Sequence, residues 1–218
     1  MKVVEIFESI DGEGIRAGFP VTFIRLYGCN LNCSYCDSRY ACENNVYTEM
    51  SISDILKVVR EYGHKRITLT GGEPLLHEGV TKLISHLIYY RYEVNIETNG
   101  SVDIHDYGLT SNPQLILTVD YKCPSSGMEN KMLLDNLSYL HEKDVLKFVV
   151  GTQEDLHRAK DIINDYDMSG QCNIYFSPVF GSIEPKDIVK FILDNKLEDV
   201  KVQLQLHKFI WNPEMRGV

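Results

Sequence analysis

No stretch of this chain stays apolar for the length that a membrane span needs. Its first residues, Met1-Lys2-Val3-Val4-Glu5-Ile6-Phe7-Glu8, carry acids where a secretory leader needs an unbroken apolar run. A cytoplasmic setting, in which thiols stay reduced, is the expectation. Basic runs are missing too. Lys and Arg number 22 against 31 Asp and Glu, a formal net charge of −9, without the basic footprint by which nucleic-acid binders displace counterions. Neither a nucleic-acid nor a membrane partner is therefore expected. An anionic small substrate would need locally placed cations, for which Arg25 and Lys122 are candidates. Repeats, low-complexity tracts and Gly/Ser linkers are absent as well. Nothing divides the 218 residues, which suit one domain over 1–218 with a sizeable core.

What the chain does have is an uneven use of cysteine. Three of its six cysteines fall in Cys29-Asn30-Leu31-Asn32-Cys33-Ser34-Tyr35-Cys36, spaced C-x3-C-x2-C, directly after the strand-like Val21-Thr22-Phe23-Ile24-Arg25-Leu26. Thiolates hold iron–sulfur clusters, and three of them secure three corners of a [4Fe–4S] cube while leaving one iron open. A zinc site usually takes four ligands in two close pairs, and no second pair exists, because Cys42, Cys123 and Cys172 are scattered. Zinc binding and redox thiols remain the alternatives at this point.

Apolar runs of strand length alternate with helical periodicity along the rest. Strands are expected at Lys2 to Phe7, Val21 to Leu26, Arg66 to Thr70, Glu93 to Ile96, Leu115 to Val119, Val145 to Val150, Ile174 to Phe176 and Val200 to Leu206. Helices are expected after a Ser51 or Ser53 cap, around Val80 to Leu87, around Leu133 to Leu140, after the capping box Thr152-x-x-Asp155, and from Pro185. Gly-rich or polar signatures follow the strands: Ile10-Asp11-Gly12-Glu13-Gly14, Gly71-Gly72-Glu73-Pro74, Glu97-Thr98-Asn99-Gly100 and Pro124-Ser125-Ser126-Gly127. This order argues an α/β fold with a mostly parallel sheet, whose C-terminal strand ends carry the site. About six units are too few for a closed eight-fold barrel, and an open partial barrel fits the length.

The cysteine spacing resembles the cluster motif of the radical S-adenosylmethionine (SAM) enzymes, and Gly71-Gly72-Glu73-Pro74 resembles their second, SAM-binding motif. The resemblance implies an open partial (β/α)6 barrel, with room for reduced helix content. It also implies Cys29, Cys33 and Cys36 as ligands of a [4Fe–4S] cluster whose open iron chelates SAM. One electron from the cluster would break SAM, and the 5′-deoxyadenosyl radical would take a hydrogen atom from substrate. Tyr35, Cys36, Asp37, Gly72, Glu73, Asp120, Tyr121, Lys122, Ser177 and Pro178 fall at segments that approach SAM in this superfamily.

Further stretches, from Ile10-Asp11-Gly12-Glu13-Gly14 and Phe23-x-Arg25 to Cys36-Asp37-Ser38, Lys122-x-Pro124-Ser125-Ser126-Gly127-Met128 and Gln205-Leu206-His207-Lys208, are similar to the 7-carboxy-7-deazaguanine synthase family. That likeness implies conversion of 6-carboxy-5,6,7,8-tetrahydropterin to 7-carboxy-7-deazaguanine with loss of ammonia, by hydrogen abstraction at C6. It implies Mg2+ at Ser38, and substrate contacts from Ile10, Asp11, Gly12, Glu13, Arg25, Thr70 and the chain end at Val218. Arg25 would meet the substrate carboxylate with its planar fork. Asp11 stands where the family often has Gln, and its carboxylate could accept from the paired N–H donors of a pterin edge. A homodimer and a flavodoxin or ferredoxin donor are implied too. Cys42, Cys123 and Cys172 match no role and are expected as buried free thiols. The rivals are a glycyl-radical-enzyme activase and a non-catalytic metal or redox-sensing module.

Overall fold

The computed structural model describes residues 1–105 and 111–218. Nine strands form one sheet: β1 (Lys2–Ile10), β2 (Pro20–Leu26), β3 (Thr48–Glu49), β4 (Arg66–Gly71), β5 (Glu93–Thr98), β6 (Leu115–Tyr121), β7 (Val145–Val150), β8 (Asn173–Pro178) and β9 (Val200–Val202). Their order is β3-β1-β2-β4-β5-β6-β7-β8-β9, so the sheet is not closed. From β2 to β9 every pairing is parallel, and β1 alone runs antiparallel to its neighbours β2 and β3. The expected α/β architecture with an open parallel sheet is what the chain adopts.

The outer helices are α1 (Ile52–Tyr62), α2 (Val80–Tyr89), α3 (Gln153–Asp165) and α4 (Pro185–Asp194), and a single short turn, α5 (His207–Ile210), follows β9. Ser51 caps α1 and Thr152 caps α3, each in a reciprocal box with the Asp three residues on. Pro185 occupies the first turn of α4, where its missing N–H costs nothing.

Side chains alternate across a strand, and here the two sets differ in polarity. One set is Ile24 and Leu26, Ile67 and Leu69, Val94 and Ile96, Leu117 and Val119, Leu146 and Phe148, Ile174 and Phe176, all buried. It packs with Ile55, Leu83, Leu87, Leu156, Ile162 and Phe191 of the helices in one continuous core. The other set carries the polar residues Arg25, Thr70, Glu97, Thr118, Asp120, Lys147 and Ser177, interspersed with Phe23, Val149 and Tyr175. It lines the inner, concave face, with Arg25 beside Thr70, Glu97 beside Thr118 and Asp120 beside Lys147 in register.

Two expectations shift. The helix expected around Leu133 to Leu140 is instead short 3-10 turns at Glu129–Lys131 and Leu134–Tyr139. Asn136 explains it, because its side chain is taken up by the neighbouring loop, bonding Gly100 O, Val102 O and the N–H of Ile104. The last strand is shorter than expected, because the Gln203 side chain turns inward to hold Gly14 through its N–H (2.7 Å) and its carbonyl (3.3 Å). With the bond from Leu206 N to Gly12 O (3.0 Å), this seam bridges the open edge of the barrel.

Candidate active site

The thiol loop leaves the C-terminal end of β2 and is clamped from three sides. Gly28 N donates to Ala41 O, and Gly28 O accepts from Glu73 N, each at 2.8 Å. Gly72 packs so tightly on this turn that a Cβ there would lie 2.2 Å from Gly28 O and 2.8 Å from the Cys29 Cβ. That contact demands a hydrogen in place of a side chain. On the far side Ser34 N donates to Ser126 O (3.1 Å) and Ser34 Oγ to Ser125 O (2.7 Å). The Pro124-Ser125-Ser126-Gly127 turn is anchored in turn by the buried Asp155 carboxylate, which accepts from Ser125 N and Gly151 N.

Cys33 is buried, Cys29 half-buried and Cys36 exposed. The Cys29 sulfur accepts from Leu31 N (3.4 Å) and from the Asn99 amide (3.5 Å). Its pKa is lowered to about 6, chiefly by the Cys42 thiol donating to it; burial opposes this, and Leu31, Asn99 and the Lys122 ammonium assist. Burial raises the Cys33 and Cys36 thiols, against the pull of Lys122. Cys42 is therefore no bystander: it is half-buried beside Cys29, and holds its proton the more firmly for it. Cys123 is buried and Cys172 half-buried, both reduced.

Among the described residues no three His, Cys, Asp or Glu side chains converge closely enough to hold a single metal ion. A four-iron cube spaces its thiolate ligands more widely than one ion does, and thiolates are the donors it takes. Three thiols in one loop, one of them ionised near neutrality and all within the field of Lys122, fit such a group. Ser38 Oγ donates to Asp37 Oδ1 (3.0 Å), and Asp37 Oδ2 is 3.3 Å from Lys208. A hydroxyl beside a carboxylate, open to water, is a donor set that suits a hard cation keeping most of its hydration.

The remaining expected site residues divide into those aimed inward and those committed elsewhere. Glu13 crosses the concave face, its carboxylate 3.3 Å from Lys147 Nζ and accepting from Ser177 Oγ at 3.0 Å. Lys122 pairs with Asp120 at 3.0 Å and, far from being a solvated lysine, is nearly buried. Thr70 Oγ1 donates to Glu97 (3.1 Å), and the Tyr35 hydroxyl to Val149 O (3.3 Å). Arg25 Nε is held by Glu5 (2.7 Å), which also accepts from Tyr40 (2.8 Å). Arg216, two residues before Val218, stacks on that same Tyr40 ring at 4.0 Å, bringing the tail to the Arg25 side of the face. Ile10 closes β1 opposite Pro20, and a Cβ on Gly12 would strike the His207 ring at 2.2 Å. Pro178 ends β8, buried.

Three side chains are committed away from the site. The Asp11 carboxylate is not free to meet a ligand: Oδ2 accepts from Arg16 (2.8 Å) and Oδ1 from Thr68 (2.7 Å). Arg16 is a buried guanidinium that also donates to Ile67 O and Glu93 O, and it needs that acid. Burial outweighs the pairing for both, raising the acid and lowering the base. The Glu73 carboxylate is sealed inside, accepting from Leu75 N, Thr98 Oγ1 and Asn99 N at 3.0, 2.9 and 2.7 Å. It ties β4 to β5 under the thiol loop and leaves only backbone carbonyls of that turn to meet a ligand amine. Tyr121 lies on the outer face, its ring against Phe148 and its hydroxyl on Glu129 (2.9 Å). Strand alternation, with Asp120 and Lys122 taken as inward, would have said so.

Sequence reasoning missed Glu97, Asn99, Lys147, Gln203, His207 and Lys208 as individual site residues. Lys147 could have been found, since a lysine in an otherwise apolar strand, Val145 to Val150, has to face something acidic.

Comparison with known proteins places the chain among relatives. A family model described as the Radical SAM superfamily matches residues 23–111. The chain is 51% identical to the 7-carboxy-7-deazaguanine synthase of Clostridium acetobutylicum, over 100% of this chain and 99% of that one. It is 39% identical to the enzyme of the same name from Chlorobaculum tepidum, over 100% of this chain and 97% of the other. The crystal structure of QueE from Escherichia coli superimposes with a TM-score of 0.75 at 22% identity, covering 94% and 93% of the two chains, which shows the shared fold.

Proposed function

The chain belongs to the radical SAM superfamily and, within it, to the 7-carboxy-7-deazaguanine synthase family; from that premise we propose that it converts 6-carboxy-5,6,7,8-tetrahydropterin to 7-carboxy-7-deazaguanine with release of ammonia, in 7-deazapurine biosynthesis. The observation that carries the reading is the meeting of three thiols, the Gly-Gly-Glu-Pro turn and a charged concave face at one end of the sheet. Bound there, a [4Fe–4S] cluster and SAM would supply radical chemistry for hydrogen abstraction from the pterin.

The chain's own residues bind, orient and exclude water. Cys29, Cys33 and Cys36 hold the cluster, and the Asn99 amide and Leu31 N–H keep charge on Cys29. Gly72 lets the backbone of its turn come close to the SAM amine, and Asp120 and Lys122 stand ready for SAM's polar groups. Arg25 keeps terminal N–H groups beyond the one given to Glu5, and these suit a substrate carboxylate. Ser38, with Asp37 beside it, would hold Mg2+ together with water and that carboxylate. The loop from Ile10 to Glu13, Thr70 and the tail toward Val218 enclose the pterin. Burial raises the Glu97 carboxyl, against Lys147, and Glu97 accepts a hydrogen bond from Thr70. We read the chain as one domain acting in the cytoplasm as a homodimer, reduced by a flavodoxin or ferredoxin.

The test is anaerobic turnover of the iron-reconstituted protein with SAM, reductant, Mg2+ and 6-carboxytetrahydropterin, followed by mass spectrometry. Formation of 7-carboxy-7-deazaguanine is expected, with both product and bound iron lost in Cys33→Ala. Reductive cleavage of SAM without that product would overturn the substrate assignment, and a full cluster with no cleavage would overturn the enzyme reading.

A further inference from the structure

Lys147 is the one basic residue of β7, and it points inward with a side chain 8% exposed. Its ammonium lies between two carboxylates from different parts of the chain. Glu13 Oε2, on the loop that crosses the concave face, is 3.3 Å away, and Asp120 Oδ2, on the neighbouring strand, is 3.5 Å away. The series continues at each end. Ser177 Oγ donates to the other oxygen of Glu13 (3.0 Å), and Lys122, which reaches toward the thiol loop, is 3.0 Å from the same Asp120 oxygen. Glu97 is the remaining carboxylate in its field. Asp120 Oδ1 is buried and has no hydrogen-bond partner among the described residues, so the bridge is incomplete at its Asp120 end.

We propose that Lys147 is a positioning residue that couples the pterin-facing loop at Glu13 to the SAM-facing strand end at Asp120, so that filling one subsite tightens the other. The inference rests on the function proposed above. A buried ammonium between two carboxylates has few arrangements that satisfy all three groups. A pterin ordering Glu13 therefore fixes Lys147, which fixes Asp120 with its unpartnered oxygen toward SAM. Linkage makes the effect reciprocal. Proton transfer is not its role. Burial would lower the pKa of Lys147, but Glu13, Asp120 and Glu97 override that and raise it well above the ordinary value, so the ammonium keeps its proton.

The experiment is anaerobic equilibrium dialysis of labelled SAM against the cluster-loaded protein, with and without saturating 6-carboxytetrahydropterin. The SAM Kd of the unaltered chain should fall about fivefold or more when the pterin is present, the lower range of ordinary coupling. In Lys147→Met the two constants should become equal, and Lys147→Arg, which keeps charge and reach, should restore part of the ratio. Should Lys147→Met fail to fold, Glu13→Gln removes the attraction from the other end while keeping an acceptor for Ser177, and should also bring the ratio toward one. A lysine that merely stabilised the sheet would lower the melting temperature of Lys147→Met and leave the ratio intact, which overturns the proposal, as does an unaltered chain with no coupling. If that chain turns pterin over yet Lys147→Met keeps the ratio, only the coupling falls. If it binds SAM but neither binds nor converts the pterin, the functional reading falls and takes the coupling with it.

Discussion

The two faces of the sheet are made by the same strands and follow opposite rules. Outside, Leu69, Ile96, Phe148 and Phe176 meet the helices through area alone, and any neighbour of similar volume would serve nearly as well. Inside, Asp120, Lys147, Glu13 and Glu97 are nearly as hidden, yet each is held by a particular partner at a particular distance. The outer face makes the fold and tolerates repacking. The inner face contributes little net stability, because desolvation offsets the pairing, but it sets geometry. A binding site can be charged and buried at once only where such a second face exists behind a complete apolar one.

The sharpest way to break that contrast is at Phe148, fully buried at the centre of the outer face. Phe148→Ala should cost about 3–5 kcal/mol in denaturant unfolding, by lost burial and a residual cavity, while SAM affinity of the folded fraction stays unchanged. A comparable loss of affinity would mean that the faces are not independent.

Next comes Asp11, a charge inside that serves the fold. Asp11→Asn leaves the Arg16 guanidinium buried without its acid and should cost about 3 kcal/mol, with the pterin KM of the surviving protein unmoved. A raised KM with normal stability would instead return Asp11 to the ligand-facing set.

Glu73 is sealed beneath the thiol loop, and burial pushes its carboxyl up to about 7 against three hydrogen bonds that favour the ionised form. Because the folded value is raised, its contribution is fully present below about pH 4.5, the unfolded value, and is lost as pH rises through about 7. The loss is on the order of 3 kcal/mol across that window. Glu73→Gln should flatten the slope of unfolding free energy against pH there; an unaltered slope would show the carboxyl titrating normally.

The outer face was readable in advance because its information is local. Apolar runs of strand length mark Val145 to Val150 and the other strands, Ser51 and Thr152 announce their helices, and the thiol spacing announces a cluster without any fold. What escaped depends on partners far away. The leucines from Leu133 to Leu140 recur at helical spacing, which shows what is buried but not the hydrogen-bond step, and Asn136 decides that from across a loop. Asp11 and Glu73 are expected as ligand groups because their loops resemble the family's substrate and SAM motifs. Only the positions of Arg16, Thr98 and Asn99 reveal that their lone pairs are already in use. Tyr121 is different, since alternation alone places it outward.

Gly14 and Gln203, which join the open edge of the barrel, are 189 residues apart in sequence. A bond of that span forms against a large loop-closure entropy, and contacts of this range are the slow ones in folding. Pairs between adjacent segments can assemble first, so the seam that finishes the wall of the pocket is a late event. The thiol loop at residues 29–36 takes its clamps at shorter spans, among them those from Ser34 to Ser125 and Ser126. Ordering of the thiol loop is thus expected to precede closure of the pocket as the chain folds.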